Sequence, residues 1–526
     1  MSHSIDSEFG AIRSFLWPIR RDEMSKFFPM LLMLFLVCFN YSILRCLKDT
    51  LVITASGSAD VIPFLKVWVI LPAALVSTLL FANLVNRFGQ EKVFYIVVGF
   101  FLGAFLFFAF ILYPLRARLY PHGVACACSS YLPAGFKGMV SMCCYWMETG
   151  FYVLSEIWGS LVMSVMFWGI ANEVTKITEA RRFYSVFSIW SNVATIAAGQ
   201  LANYFTVNEG QLNLMFPFGN DHWEQTIMLI VLLVVVAGIG MMGAFYWMNK
   251  NVLNKPMFEE LHKSREELRP KKKASLRDSF SFLSNSKYLS CIAVIVIGYN
   301  LTINLAEVLW KDQVKVMYPS PTDYNSYLNN VTSMTGVIST LVALFMARIM
   351  ARCGWTKTAM ITPVIMLATS IGFFAFMIFQ ESIGPLAFAL TGVTPLAFCI
   401  FFGAAQNSMS KAMKYSVFDA TKEMAFIPLD HESKLKGKAA IDGVGSRFGK
   451  FGGSLLFQTL LVLFVTLPAT APYIALMTLF SVGGWLFAVR SLGKQFAGLA
   501  GGERTLLFSD EELPKDVKEK EQPQTA

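Results

Sequence analysis

Charged side chains are scarce in this chain. Only 15% of its 526 residues are Asp, Glu, Lys or Arg, while 55% are hydrophobic, which leaves too little polar surface to clothe a soluble molecule of this length. Histidine is rarer still: His3, His122, His222, His262 and His431 all fall outside the long apolar runs, which argues against a metal-dependent enzyme inside a membrane. No metalloprotease His pair and no hydrolase Ser elbow is present, so no metal and no cofactor is expected and an enzyme is disfavoured. The short alternating segments of a β-barrel are missing as well. The nine cysteines are scattered, although Cys126, Cys128, Cys143 and Cys144 gather between the third and fourth apolar runs. A disulfide is open to them there if that side is oxidising, whereas zinc with His122 lacks the ligand spacing.

What is present is a series of apolar runs long enough to cross a bilayer core of about 30 Å as helices rising about 1.5 Å per residue. The reading is an all-α polytopic membrane protein with twelve spans: 27–53, 62–84, 93–113, 142–172, 182–205 and 226–248, then 289–310, 331–350, 357–379, 385–409, 440–467 and 472–492. Basic residues collect in alternate loops, at Arg87 and Lys92, at Lys176, Arg181 and Arg182, and at Arg348, Arg352 and Lys357. Segments 206–225, 380–384 and 468–471 have no Lys or Arg, which places them outside and both termini in the cytoplasm. No cleavable signal is read at the start, because the first run is long and lacks a small-residue cleavage site. The net charge of +9 finds its place in the cytoplasmic loops, so nucleic acid is not an expected partner.

Six spans, a basic linker and six more spans divide the chain into a leader (1–26), a first bundle (27–248), the linker (249–288), a second bundle (289–492) and a polar tail (493–526). That is the profile of transporters built from two related halves with the substrate held between them, a major-facilitator-like arrangement. A faint echo supports it: Asn172 to Lys176 and Asn407 to Lys411 each place Asn and Lys one helical turn apart. A twelve-helix protein without repeats, such as a lipid-modifying enzyme, is the alternative at this point.

The few charges inside the runs carry the argument, since Lys or Arg at the centre of a membrane helix costs about 2.5–3.5 kcal/mol on insertion scales and needs a partner or water. Arg45, Lys48 and Asp49 share one helix face, either as an interfacial anchor with Asp49 paired to Arg45 or as part of a site. Glu156 stands alone among full charges from Thr149 to Ile170, so it must find a proton or a cation. Asn304, Glu307 and Lys311 lie on one face of the seventh span, with an easy internal Glu–Lys pair. The stretch Asp442 to Ser454 fails both nucleotide motifs: Val444 and Phe451 break a Walker A loop, and Phe448 breaks the dinucleotide fingerprint. It does offer glycines for close packing, with Arg447 and Lys450 one turn apart. Cations this weakly offset by acids suit a strongly anionic solute. Tyr152, one turn before Glu156, and Tyr299 are candidates for contact with a base, or packing residues.

Three motifs carry a family resemblance. They are Arg45-Cys46-Leu47-Lys48-Asp49-Thr50-Leu51-Val52 with Ile62 to Trp68, Asn304-Leu305-Ala306-Glu307-Val308-Leu309-Trp310-Lys311, and Lys414 to Asp419 continuing through Thr421 to Leu429 and Lys436 to Asp442. Over residues 25–495 the chain resembles the ATP/ADP translocases of obligate intracellular bacteria and plastids. The resemblance implies a major-facilitator-like exchanger that imports ATP for ADP, with phosphate accompanying ADP in at least some members; a monomer in the bacterial cytoplasmic membrane is expected. Its functional charges would fall on Lys48, Glu156, Glu307 and Lys450. Proton-coupled nucleoside-triphosphate importers share the same motifs and are the second reading. The chain departs from the family at Ser446-Arg447-Phe448, where Arg447 adds to the cationic wall.

Overall fold

The computed structural model describes residues 17–121, 131–175, 177–207, 221–253, 286–429, 431–438, 440–441 and 445–509. Within them every regular element is a helix. A bilayer core provides no water for backbone groups, so runs of this composition satisfy their own N–H and C=O groups along each helix. The long helices are α1 (Met24–Ser56), α2 (Val61–Phe88), α3 (Gln90–Leu112), α4 (Trp146–Val174), α5 (Ile177–Val207), α6 (His222–Val252) and α7 (Lys287–Met317). They continue with α8 (Pro321–Met346), α9 (Arg352–Ile378), α10 (Gln380–Thr391), α11 (Pro395–Met413), α12 (Ser446–Phe464) and α13 (Leu467–Ser509).

Local sequence sets several of the boundaries. The Asp221 carboxylate accepts from the Glu224 N–H at 2.7 Å and caps α6, and the Ser286 hydroxyl does the same for α7. Pro321 and Pro395 open α8 and α11, where a missing N–H costs nothing. α1 stops at Gly57, whose φ of 76° lies in the left-handed region.

Among the described residues, nine helices are long and apolar enough to span, and ten if the bent pair of α10 with the α11 segment is one span. The expected count of twelve is therefore not reached. α5 is a helix of 31 residues, but Ser185, Ser188, Ser191, Asn192, Gln200 and Asn203 dilute its apolar character. α12 contributes only the short apolar stretch Gly449–Phe464. The basic linker lies almost wholly outside the described residues, as do Lys176, His122, Cys126 and Cys128, whereas Cys143 is an exposed free thiol.

Packing follows the division at the linker. One apolar core, including Phe27, Phe101, Phe105, Phe151 and Trp158, draws only on residues up to Val252, and another, including Tyr299, Phe418 and Trp485, only on residues from Tyr288 onward. A third core joins Ile62, Phe64 and Tyr152 to Leu309, Trp310 and Phe457 across the two halves. Large apolar side chains such as Leu79, Leu476, Phe480 and Phe487 project outward, as a lipid-facing surface requires.

The halves meet most closely toward the end that carries Gly57. Gly135 lies so close to α12 that a Cβ there would sit 2.5 Å from Val462 Cα, a separation only glycine allows. Along α5 and α8, Ser326 donates to Asn203 at 2.7 Å and Asn325 donates to Thr206 at 3.0 Å, while Thr50 donates to Asn325 at 3.2 Å. The Asp312 carboxylate accepts from the Ser58 hydroxyl at 3.3 Å and the Ala59 N–H at 3.2 Å, which clasps α7 to the Gly57 turn.

Candidate functional site

α1 and α7 face each other across the seam between the halves, and the intramembrane charges meet there. Lys48 Nζ lies 2.7 Å from Glu156 Oε1 on α4 and 3.4 Å from Asp49 Oδ1. Asp49 Oδ2 is 2.7 Å from Lys311 Nζ, and Arg45 donates to Glu307 Oε1 at 3.1 Å, so both α1 contacts cross to the second half. The same Glu307 oxygen is 3.5 Å from Lys311 Nζ and 3.4 Å from Lys411 Nζ on α11. Lys66, on α2, donates to Asn304 Oδ1 at 2.8 Å. Arg45, Lys48, Lys66, Lys311 and Lys411 thus stand against Asp49, Glu156 and Glu307, a surplus of two positive charges.

Lys48, Asp49 and Lys311 are buried, but the side chains of Glu156 and Arg45 keep 36% and 28% of their surface exposed. The cluster therefore borders solvent-accessible space and is not sealed in the apolar core. The anchor reading of α1 is corrected accordingly, because Asp49 pairs with Lys48 and Lys311, and Arg45 reaches Glu307 instead. Carboxylates of neighbouring helices, Glu307 on α7 for Arg45 and Glu156 on α4 for Lys48, offer these cations what headgroups would otherwise supply. Glu156 has found a cation, and the internal Glu307–Lys311 pair forms as its spacing allows.

The other expected residues are placed differently. Lys450 on α12 is exposed and lies within electrostatic reach of Arg45, Glu156, Lys414 and Asp419. The side chain of Arg447 lies outside the described residues. Gly449 supports the packing reading of that helix, since a Cβ there would come within 2.8 Å of Asn300 on α7. Tyr152 is buried, with the Lys48 ammonium 3.6 Å from its ring centroid, a cation–π contact. Tyr299 packs against Phe418 and Trp485, and its hydroxyl donates to the Ser410 carbonyl, deep in the second half.

Lys66 and Lys411 were not among the expected site residues. The signal for Lys66 was an ionisable residue within an apolar run, and Lys411 was visible as the Lys of the second Asn–Lys echo. Three π-helical stretches lie at the cluster: Leu65–Ile70 contains Lys66, Trp158–Phe167 follows Glu156, and Lys414–Phe418 follows Lys411. Such widened turns recur at functional sites because they re-aim side chains.

Next to the cluster, at the Gly57 end, is a cavity of about 710 Å³ whose lining includes Asp60, Tyr120, Lys137, Tyr145, Asp312 and Pro468. Burial pushes the Asp60 carboxyl above its ordinary value, against the opposing pull of the Ser58 hydroxyl and Lys137. The Asp312 clasp lies between this cavity and Lys311, its neighbour in sequence.

The family model described as TLC ATP/ADP transporter matches residues 2–496. The chain belongs to that family. It is 43% identical over 501 residues to ADP,ATP carrier protein 1 of Chlamydia pneumoniae, covering 94% of this chain and 96% of that one. It is 38% identical over 495 residues to ADP,ATP carrier protein 1, chloroplastic, of Arabidopsis thaliana, covering 94% and 76%. In fold it is similar to a bacterial homologue of the iron transporter ferroportin in an inward-facing state, with a TM-score of 0.53 and 12% identity over 90% of this chain and 99% of that one. That likeness shows the helical fold alone. Membership of that family makes it a carrier in class.

Proposed function

We propose that the chain is a nucleotide antiporter that imports ATP in exchange for ADP by alternating access between two bundles, residues 27–248 and 289–492. The observation that carries this reading is the cation-rich cluster across the seam, in a chain whose relatives are named ADP,ATP carriers. The polyphosphate binds Arg45, Lys48, Lys311, Lys450 and Arg447, while Glu156, Glu307 and Asn304 hold the cations when the site is empty. Opposite charges paired across the seam give the empty carrier a closed arrangement, and an anion that competes for the cations releases it. Tyr152 becomes available to the base once Lys48 turns from its ring to a phosphate.

The alternate basic loops support a cytoplasmic location for both termini in the bacterial cytoplasmic membrane, with the Gly57 end outside. The cavity there is then the outer vestibule, closed from the charges by the Asp312 clasp. The carrier works as a monomer, with phosphate accompanying ADP. Reconstituted liposomes test the reading: labelled ATP should enter, stay intact, and require internal ADP. A proton-coupled importer of the same family is the second reading, favoured by the shared motifs, and uptake into vesicles without internal nucleotide under a proton gradient would establish it in place of exchange. ATP that arrives hydrolysed would instead identify an enzyme.

A further inference from the structure

The cations of the cluster are not equally satisfied. Lys48 has the Glu156 oxygen at 2.7 Å, Lys311 has Asp49 at 2.7 Å, and Arg45 has Glu307 at 3.1 Å. Lys411 reaches only the Glu307 oxygen already bonded to Arg45, at 3.4 Å, and Lys66 has a neutral amide oxygen in place of a carboxylate. These two are the least compensated lysines of the cluster. They come from different halves, Lys66 from α2 and Lys411 from α11, and both lie within electrostatic reach of Glu307 and Lys311. Neither is sealed away: Lys66 is half-buried and the Lys411 side chain keeps 18% of its surface exposed. Each also sits on or beside a π-helical stretch.

The geometry points to Lys66 and Lys411 as the residues that read the polyphosphate, selecting nucleoside di- and triphosphates over monophosphates. This rests on the nucleotide reading above and adds to it the two groups that set how much negative charge the site demands. In a site of low dielectric the groups that gain most from an anion are those that surrender least for it: Lys66 has no carboxylate partner to give up, and Lys411 gives up only a share of Glu307. A polyphosphate offers each of them a phosphate of its own, whereas a single phosphate has to be shared between lysines that come from opposite halves.

Nucleotide binding to the purified, detergent-solubilised full chain tests this without requiring transport. Labelled ATP is displaced by unlabelled ATP, ADP or AMP in wild type, Lys66→Gln, Lys411→Gln and the arginine variants Lys66→Arg and Lys411→Arg, each checked for an unchanged melting temperature. The expected result is that each glutamine variant weakens ATP and ADP binding by about 10- to 100-fold, the equivalent of one charge-assisted hydrogen bond, and AMP binding much less. The arginine variants should keep most of the affinity. Unchanged ATP binding, or an equal loss for ATP and AMP, would overturn the assignment of these two lysines while leaving the nucleotide reading intact. Wild-type protein that binds none of the three nucleotides would overturn the nucleotide reading itself.

Discussion

Lys48 has three partners at once: the Glu156 carboxylate, the neighbouring Asp49 and the face of Tyr152. A charge held this way answers two descriptions, a structural ion pair and a phosphate ligand waiting in its empty state. A charge swap separates them. Lys48→Ala and Glu156→Gln should each destabilise the protein by about 1–3 kcal/mol, between the values for exposed and buried pairs because Glu156 is partly exposed. The double variant Lys48→Glu with Glu156→Lys should recover most of that stability while ATP uptake stays at least about tenfold below wild type, one lost charge-assisted bond. Recovered uptake in the swap would show that Lys48 serves the pair alone. The members of this cluster were legible in the sequence where a lone charge interrupts an apolar run, as at Arg45, Lys48, Glu156, Glu307 and Lys311. Their pairings were not legible, because Arg45 reaches Glu307 over 262 positions of chain and local spacing favoured Asp49. Lys66 and Lys411 were easier to overlook because each lies at an edge of its run, where a basic residue ordinarily reads as a flank.

α7 links the charge cluster to the closed end. Glu307 and Lys311 face the seam, and the next residue, Asp312, holds the turn at Ser58 and Ala59, so a shift of α7 moves both together. Asp60 lies in the same turn, facing Lys137 and within electrostatic reach of Asp312, and burial raises its carboxyl above the ordinary value. A raised acid favours the protonated form in the closed arrangement. That contribution is complete below the ordinary carboxylate value and is lost as pH rises through the raised one. Spin labels at Tyr131 and Tyr473, both exposed, should therefore report a longer distance as pH climbs through this window, and Asp60→Asn should flatten the response. The same pH shift in Asp60→Asn would assign it to another group. At this scale hydropathy located the spans well where composition was uniform. Two of the spans it named, α5 diluted by polar residues and α12 with only a short apolar stretch, fall short of a spanning helix's apolar length among the described residues, and both pack against the opposite half and so need less lipid-facing surface.

For the molecule as a whole, the excess of cations over carboxylates sets an electrical problem that the exchange must solve. Fully ionised ATP carries about one more negative charge than ADP, so strict one-for-one exchange moves one elementary charge per cycle, worth about 2.3 kcal/mol in a potential of about 100 mV. If singly charged phosphate leaves with ADP, the cycle becomes neutral and the potential loses its grip on the rate. Liposomes clamped with a potassium gradient and an ionophore separate the cases. With ADP alone inside, ATP uptake should speed up when the interior is made positive and slow when it is made negative. Adding internal phosphate should remove most of that dependence if phosphate is carried along. A voltage effect that is the same with and without phosphate would mean that the cluster's surplus positive charge never meets a phosphate ion during the return step, and that the exchange is of nucleotides alone.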